Sequence, residues 1–191
     1  TSKCMQEDIK KACEVLRKGG VILYPTDTIW GIGCDATNKD AVKRVYEIKK
    51  RDDSKSMLVL MENPVKLQNY ITDVPDIAWD LIDLADKPLT IIYDGARNLA
   101  ANLIAEDGSV GIRITSELFS AELCKQFRKP IVSTSANLSG EASPSTFKEI
   151  SEEIKNAVDY IVTYRQKDKN KAQPSGIVKL SKNGTISIIR K

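Results

Sequence analysis

Ile131-Val132-Ser133-Thr134-Ser135-Ala136-Asn137 reads as a strand that reaches Thr134 and runs straight into a loop of hydroxyls and an amide. The pattern predicts a helix on each side, one over Glu117 to Phe127 and one capped by Ser145 and extending to about Lys155. A helix, a strand and a helix in this order call for an α/β domain, and open α/β sheets gather their ligands just beyond the carboxyl ends of strands. Ser133, Ser135 and Asn137 could there bond a base, a ribose or a phosphate, and Ser139-Gly140 and Ser143-Pro144 extend the loop. A polar turn that merely ends a strand has the same composition, so the loop alone decides nothing.

The same alternation continues outward. Ile9, Ala12, Cys13 and Leu16 recur at helical spacing until Gly19-Gly20, which predicts a surface helix over 5–18, and Val21 to Tyr24 is a short strand ending at Pro25. Thr26 to Thr37 reads as a polar, glycine-bearing loop. Asn38 is a candidate N-cap for a helix through Lys50 whose buried face is Val42, Val45 and Tyr46. Strands are expected at Met57–Met61, Leu89–Tyr93, Val110–Ile114, Tyr160–Thr163, Ile177–Leu180 and Thr185–Ile189, with helical segments at Pro64–Tyr70 and Asp76–Ala85. The last two strands are joined by an Asn183-Gly184 turn. Parallel and antiparallel neighbours must both occur, so the expected fold is a mixed sheet flanked by helices, forming one domain over residues 1–191. Arg165 to Gln173 is a charged run read as a mobile loop.

A formal charge of +3 on 191 residues is too small for a protein that coats nucleic acid, so any RNA contact has to be local. Cys4, Cys13, Cys34 and Cys124 form no C-x-x-C pair and there is no histidine, which removes zinc sites and leaves reduced, partly buried thiols. No apolar run is long enough to span a bilayer and Thr1-Ser2-Lys3-Cys4 does not open a signal peptide, so a cytoplasmic protein is expected. The glycosylation patterns at Asn137 and Asn183 then have no consequence.

Lys49 follows Val42, Val45 and Tyr46 at the next helical step, so the buried stripe of that helix ends in an ammonium group that needs an anionic partner. With Lys50, Arg51 and Lys55 it forms a cluster that suits a phosphate site; the same charges would also complement the negative end of a helix dipole or a solvated turn. Gly31-Ile32-Gly33 up to Ala36 fits G-x-G-x-x-A, but the helix opens only at Asn38 and Asp35 would face the pyrophosphate, so a dinucleotide fold is set aside and the glycines are read as a close turn around a small ligand. Arg113 alternates into a strand and is either an exposed-face residue or a carboxylate clamp. Trp30 and Trp79 read as packing residues.

Taken in order, these segments resemble the YrdC family, the threonylcarbamoyl-AMP synthases of tRNA modification. Pro25-Thr26-Asp27-Thr28-Ile29-Trp30-Gly31-Ile32-Gly33 resembles P-T-[DE]-T-[VI]-[YF]-G-[LV]-G. Lys49-x-Arg51 with Ser135-x-Asn137 resembles the K-x-R and S-x-N signature, and Pro174-Ser175-Gly176-Ile177-Val178 resembles P-S-T-[IV]-V. The resemblance implies a twisted mixed sheet with a large positively charged cavity, and the synthesis of threonylcarbamoyl-AMP from L-threonine, bicarbonate and ATP with release of pyrophosphate. It implies that Thr28, Arg113 and Ser175 hold threonine, and that Lys49, Arg51, Lys55, Ser109, Ser133, Ser135, Asn137, Ser143 and Arg190 hold ATP. Lys49 and Arg51 would act electrostatically, with no general base assigned, and Mg2+ would arrive with ATP. The product would serve tRNA, directly or through a downstream threonylcarbamoyl-transferase complex. The chain departs from the pattern at Asp52, at Ser56-Met57, at Ala85-Asp86-Lys87-Pro88 in place of W-P-G-P, and at Gly176, and it ends where longer members add a second domain, so it reads as the short form.

Two other classes remain open. A non-catalytic RNA-binding protein could use the same positive cavity, although 6% aromatic residues leave little for base stacking. A domain that adenylates carbamoyl groups for a maturation pathway would be expected to carry zinc-finger or acylphosphatase-like segments, and none is present.

Overall fold

Ser2 opens the first helix by accepting the Met5 amide at 3.1 Å, and α1 (Lys3–Arg17) buries Met5, Asp8, Ile9, Ala12, Cys13 and Leu16 along one stripe. The computed structural model describes residues 2–51, 57–169 and 171–191. After α1 come β1 (Ile22–Tyr24), β2 (Gly31–Gly33), α2 (Lys39–Lys49), β3 (Leu58–Met61), α3 (Asp76–Leu84), β4 (Leu89–Tyr93), β5 (Val110–Ile114), α4 (Leu118–Phe127), β6 (Ile131–Ser135), α5 (Glu152–Ala157), β7 (Tyr160–Ile161), β8 (Gly176–Leu180) and β9 (Ile186–Arg190). The strands form one mixed sheet in the order β7-β1-β2-β6-β3-β5-β4-β8-β9.

Register places the site. Paired residues share a face, so the pairs Gly31↔Ser135, Leu58↔Ser133, Leu60↔Arg113, Thr90↔Arg113, Thr90↔Ile177 and Ile177↔Arg190 set one continuous row across seven strands. The opposite face carries apolar side chains such as Val59, Ile91, Ile112 and Val132 into the core, and α1 and α4 pack together beside it.

Three expectations need correction. Thr26 to Thr37 is not all loop, because Gly31–Gly33 is the strand β2, wedged between β1 and β6. A Cβ on Gly33 would lie 2.5 Å from the Tyr24 ring and 2.7 Å from the Val132 carbonyl, so this glycine admits the ring whose hydroxyl donates to that carbonyl at 2.9 Å. Ser145 does not cap a long helix; a short 3-10 turn at Phe147–Glu149 precedes α5, whose cap is Ser151. The final hairpin turns on Lys182-Asn183, with the Gly184 amide bonded to the Ser181 carbonyl and Gly184 itself in the following left-handed position at φ 86°.

Candidate active site

α2 ends in a way that aims a cation. The Lys50 amide donates to the Glu47 carbonyl and the Arg51 amide to the Tyr46 carbonyl, at 3.1 and 3.0 Å, the paired bonds of a Schellman cap. Glycine usually takes the left-handed position of this motif, yet Lys50 holds it at φ 54°. A side chain there costs on the order of 1 kcal/mol, and the turn delivers Arg51 to a cavity of about 240 Å³.

That cavity lies over the row of sheet residues already described. Its wall includes Thr28, Trp30, Gly31, Arg51, Arg113, Ser133, Ser135, Ser143, Ser175 and Arg190. Arg113 is almost wholly buried at 2% exposure. Its Nε donates to Asp27 Oδ1 and Oδ2 at 2.9 and 3.2 Å, and its Nη2 to Thr28 Oγ1 at 3.2 Å. Asp27 thus holds the inner edge of the guanidinium and leaves the outer nitrogens toward the cavity. The Ser175 hydroxyl shares a 2.7 Å bond with Thr90, and Arg190 Nε donates to the Ser175 carbonyl at 2.8 Å. Burial and then the nearby Arg113 charge lower the Arg190 pKa, so these two guanidiniums face one space that an anion would stabilise. Among the described residues, none that lines the cavity carries a carboxylate.

Lys49 stands behind this wall rather than on it. Its ammonium, 2% exposed, donates to the Ser135 carbonyl at 2.5 Å, while its own carbonyl accepts the Ser139 amide at 2.8 Å. The residue therefore ties the end of α2 to both ends of the loop after β6. Burial, and then Arg51, push its pKa down to about 8. Below pH 8 the group is charged in folded and unfolded chains alike and its burial is a cost; between about 8 and the ordinary 10.5 only the unfolded chain keeps the proton, so its contribution to stability rises with pH. The stability of the wild-type chain relative to Lys49→Met should accordingly rise from pH 8 to 10.5 in denaturant titrations. A difference that stays flat would place the ammonium in water.

Two further expected residues also sit outside the cavity wall. Ser109 donates to Asp107 Oδ1 at 2.6 Å, and that hydroxyl, with the Ser109 amide and Lys179, holds the Asp107 carboxyl down to about 2. It lies in the turn just before β5, four residues ahead of Arg113. Asn137 spends its amide nitrogen on the Leu138 and Glu141 carbonyls, at 2.9 Å each, and its Oδ1 is buried without a hydrogen-bond partner among the described residues. Lys55, like Asp52 and Ser56, lies outside the described residues. Sequence reading missed Thr90 and gave Asp27 no part; only the pairing of β4 with β8 and the Thr90–Ser175 bond reveal that β4 faces Ser175, and only the bonds of Arg113 reveal that the turn after β1 reaches β5. Trp30 is buried at 5% exposure and packs on Phe147 with ring centres 4.8 Å apart, as a packing residue should. Three of the four cysteines are buried, all are free, and no group of potential metal ligands occurs among the described residues.

Comparison with known proteins places this geometry. Residues 14–191 match the profile of the Sua5, YciO and YrdC family, described as telomere recombination. The chain is similar to the threonylcarbamoyl-AMP synthase of Pseudoalteromonas translucida, at 33% identity over 160 residues, 82% of this chain and 86% of that protein. It is likewise similar to the Pseudomonas aeruginosa enzyme of that name, at 34% identity over 152 residues, 79% of this chain and 82% of that one. The P. abyssi Sua5 structure complexed with L-threonine has the same fold, with a TM-score of 0.80 at 23% identity; the match covers 90% of this chain and half of Sua5. With its profile match running over nearly all of its length, and with these relatives above 30% identity over about four fifths of it, the chain belongs to the Sua5, YciO and YrdC family.

Proposed function

We propose that the cavity joins L-threonine, bicarbonate and ATP into threonylcarbamoyl-AMP and pyrophosphate. The observation that carries this reading is the buried Arg113, held by Asp27 on one edge and turned toward Thr28 and the cavity on the other. A guanidinium fixed in that way suits the two oxygens of an amino-acid carboxylate. Thr28 and Ser175, on either side, offer hydroxyls to the rest of a small polar substrate. Arg51, Arg190, Ser133, Ser135 and Ser143 line the same space and suit the phosphates and ribose of ATP. Lys49 and Asn137 support the loop that presents Ser135, and Lys55 and Ser109 complete the nucleotide residues of this reading.

The chemistry asks little of acid or base groups. The threonine amine adds to bicarbonate, losing water, or to dissolved carbon dioxide, and becomes a carbamate. A carbamate oxygen then attacks the α-phosphorus of ATP, the bond from that phosphorus to the bridging oxygen breaks, and pyrophosphate leaves. Positioning the reactants and stabilising charge on the phosphates are the protein's tasks, and arginines perform both. Mg2+ would arrive with the ATP substrate, bridging its phosphates. The product would pass to the tRNA adenosine beside the anticodon, directly or through a transferase complex, in the cytoplasm. Among the described residues no helix is long and apolar enough to cross a membrane.

Pyrophosphate release is the test. It should require threonine and bicarbonate together, because the nucleophile is the carbamate and not the free carboxylate. Robust release with threonine in carbonate-free buffer would instead describe an aminoacyl-adenylate enzyme, and retention of RNA without any turnover would favour a binding protein.

A further inference from the structure

Arg165 opens the charged stretch read from the sequence as a mobile loop, and it is pinned. Its φ of 65° is left-handed, a conformation that a residue with a side chain keeps only where its surroundings impose it. The surroundings begin at Asp8, buried on α1, which accepts the Thr163 amide at 3.0 Å, the Thr163 hydroxyl at 2.7 Å, the Tyr164 amide at 2.9 Å and the Tyr160 hydroxyl. Tyr164 stacks on Phe119 of α4 with ring centres 5.7 Å apart. Held from both sides, the backbone sends the Arg165 side chain toward the turn after β1.

The guanidinium there meets three groups. Its Nε donates to Asp168 Oδ2 at 2.7 Å, its Nη1 lies 3.3 Å from Glu117 Oε2, and the same Nη1 donates to the Thr26 carbonyl at 2.9 Å. Thr26 organises its own turn: its hydroxyl accepts the Thr28 amide at 3.0 Å and donates to the Ile29 carbonyl at 2.8 Å. Thr28 Oγ1 in turn receives Arg113 Nη2. A path of hydrogen bonds therefore leads from Arg165 through Thr26 and Thr28 to Arg113, without Arg165 lining the cavity.

We propose that Arg165 is a positioning residue for the amino-acid subsite: by holding the Thr26 carbonyl it fixes where Thr28 and Arg113 stand when threonine binds. This rests on the reading of Thr28 and Arg113 as the threonine subsite. A planar fork can satisfy Asp168, Glu117 and Thr26 at once, and a lysine ammonium can reach only part of that set.

Calorimetry with threonine and steady-state kinetics on wild type, Arg165→Met and Arg165→Lys test the proposal. Arg165→Met should raise the threonine Kd and KM on the order of tenfold, as loss of a charge-assisted bond predicts. It should leave kcat at saturating threonine and the KM for ATP within about twofold, and Arg165→Lys should recover part of the loss. Threonine binding in Arg165→Met equal to that of wild type overturns the proposal, and so does an equal rise in the KM for ATP, which would mark general damage to the fold. Should the methionine variant not fold, the lysine variant carries the test, with a threonine affinity unchanged from wild type as the overturning result. Wild type that binds ATP but not threonine would instead overturn the subsite reading, and this proposal with it.

Discussion

Arg113→Lys is expected to weaken threonine binding roughly a hundredfold while leaving ATP affinity nearly unchanged, the loss matching about 3 kcal/mol for a charge-assisted bidentate contact. The reason is a division of labour within one side chain. Nε of Arg113 is committed to Asp27 and the terminal nitrogens are left for Thr28 and the cavity. A lysine at 113 keeps a charge for Asp27 but, as a single point donor, cannot also present a planar pair of N–H groups to a carboxylate. Alanine would be a poorer probe, because stranding the largely buried Asp27 carboxylate costs several kcal/mol of fold stability and confuses the result. Calorimetry with each ligand decides the matter: loss of ATP binding with threonine binding intact would move the amino-acid site away from Arg113.

Arg51→Ala is expected to lower turnover by roughly two to three orders of magnitude, the usual effect of removing a group that stabilises charge in the transition state. Its melting temperature should fall by no more than about 4 °C, since a half-buried cation at a cavity wall contributes on the order of 1 kcal/mol to a domain of this size. Large loss of activity with a small thermal shift separates a functional cation from one that merely complements the helix dipole. Turnover within twofold of wild type, measured at saturating substrates and again at low ATP, would return Arg51 to the dipole explanation.

Much of the fold is written in local pattern. β4 and β5 coincide with the apolar runs Leu89–Tyr93 and Val110–Ile114, and Asn38 caps α2 through the Ala41 amide as its side chain suggests. β2 is the informative failure. Gly31-Ile32-Gly33 has low strand propensity, and it becomes a strand because β1 and β6 supply partners on both sides and because only a residue without a Cβ fits against Tyr24. The misplaced cap of α5 has a similar origin, since Ser145 and Ser151 are equivalent as sequence signals. Ser151 alone bonds the amide three residues on.

The site divides in the same way. Thr28, Arg51, Arg113, Ser133, Ser135, Ser143, Ser175 and Arg190 meet in one cavity although they come from widely separated segments. The resemblance to the family is what nominates them together. Which way a side chain turns was not legible. Lys49 shares the K-x-R signature with Arg51, yet it is two positions earlier on α2, before the left-handed turn at Lys50, and so it points into the protein. Arg165 reads in the sequence as part of a mobile loop because its neighbours are charged, whereas its partners Thr26 and Glu117 lie far away in sequence.

The central claim is that this cavity makes a mixed anhydride between AMP and a threonine carbamate, and carbon-labelled bicarbonate tests it most directly. The protein is incubated with ATP, threonine and the labelled bicarbonate, and the nucleotide products are separated at once and weighed by mass spectrometry. The account predicts threonylcarbamoyl-AMP that carries one labelled carbon for each AMP. A product with the mass of threonyl-AMP and no label would contradict it.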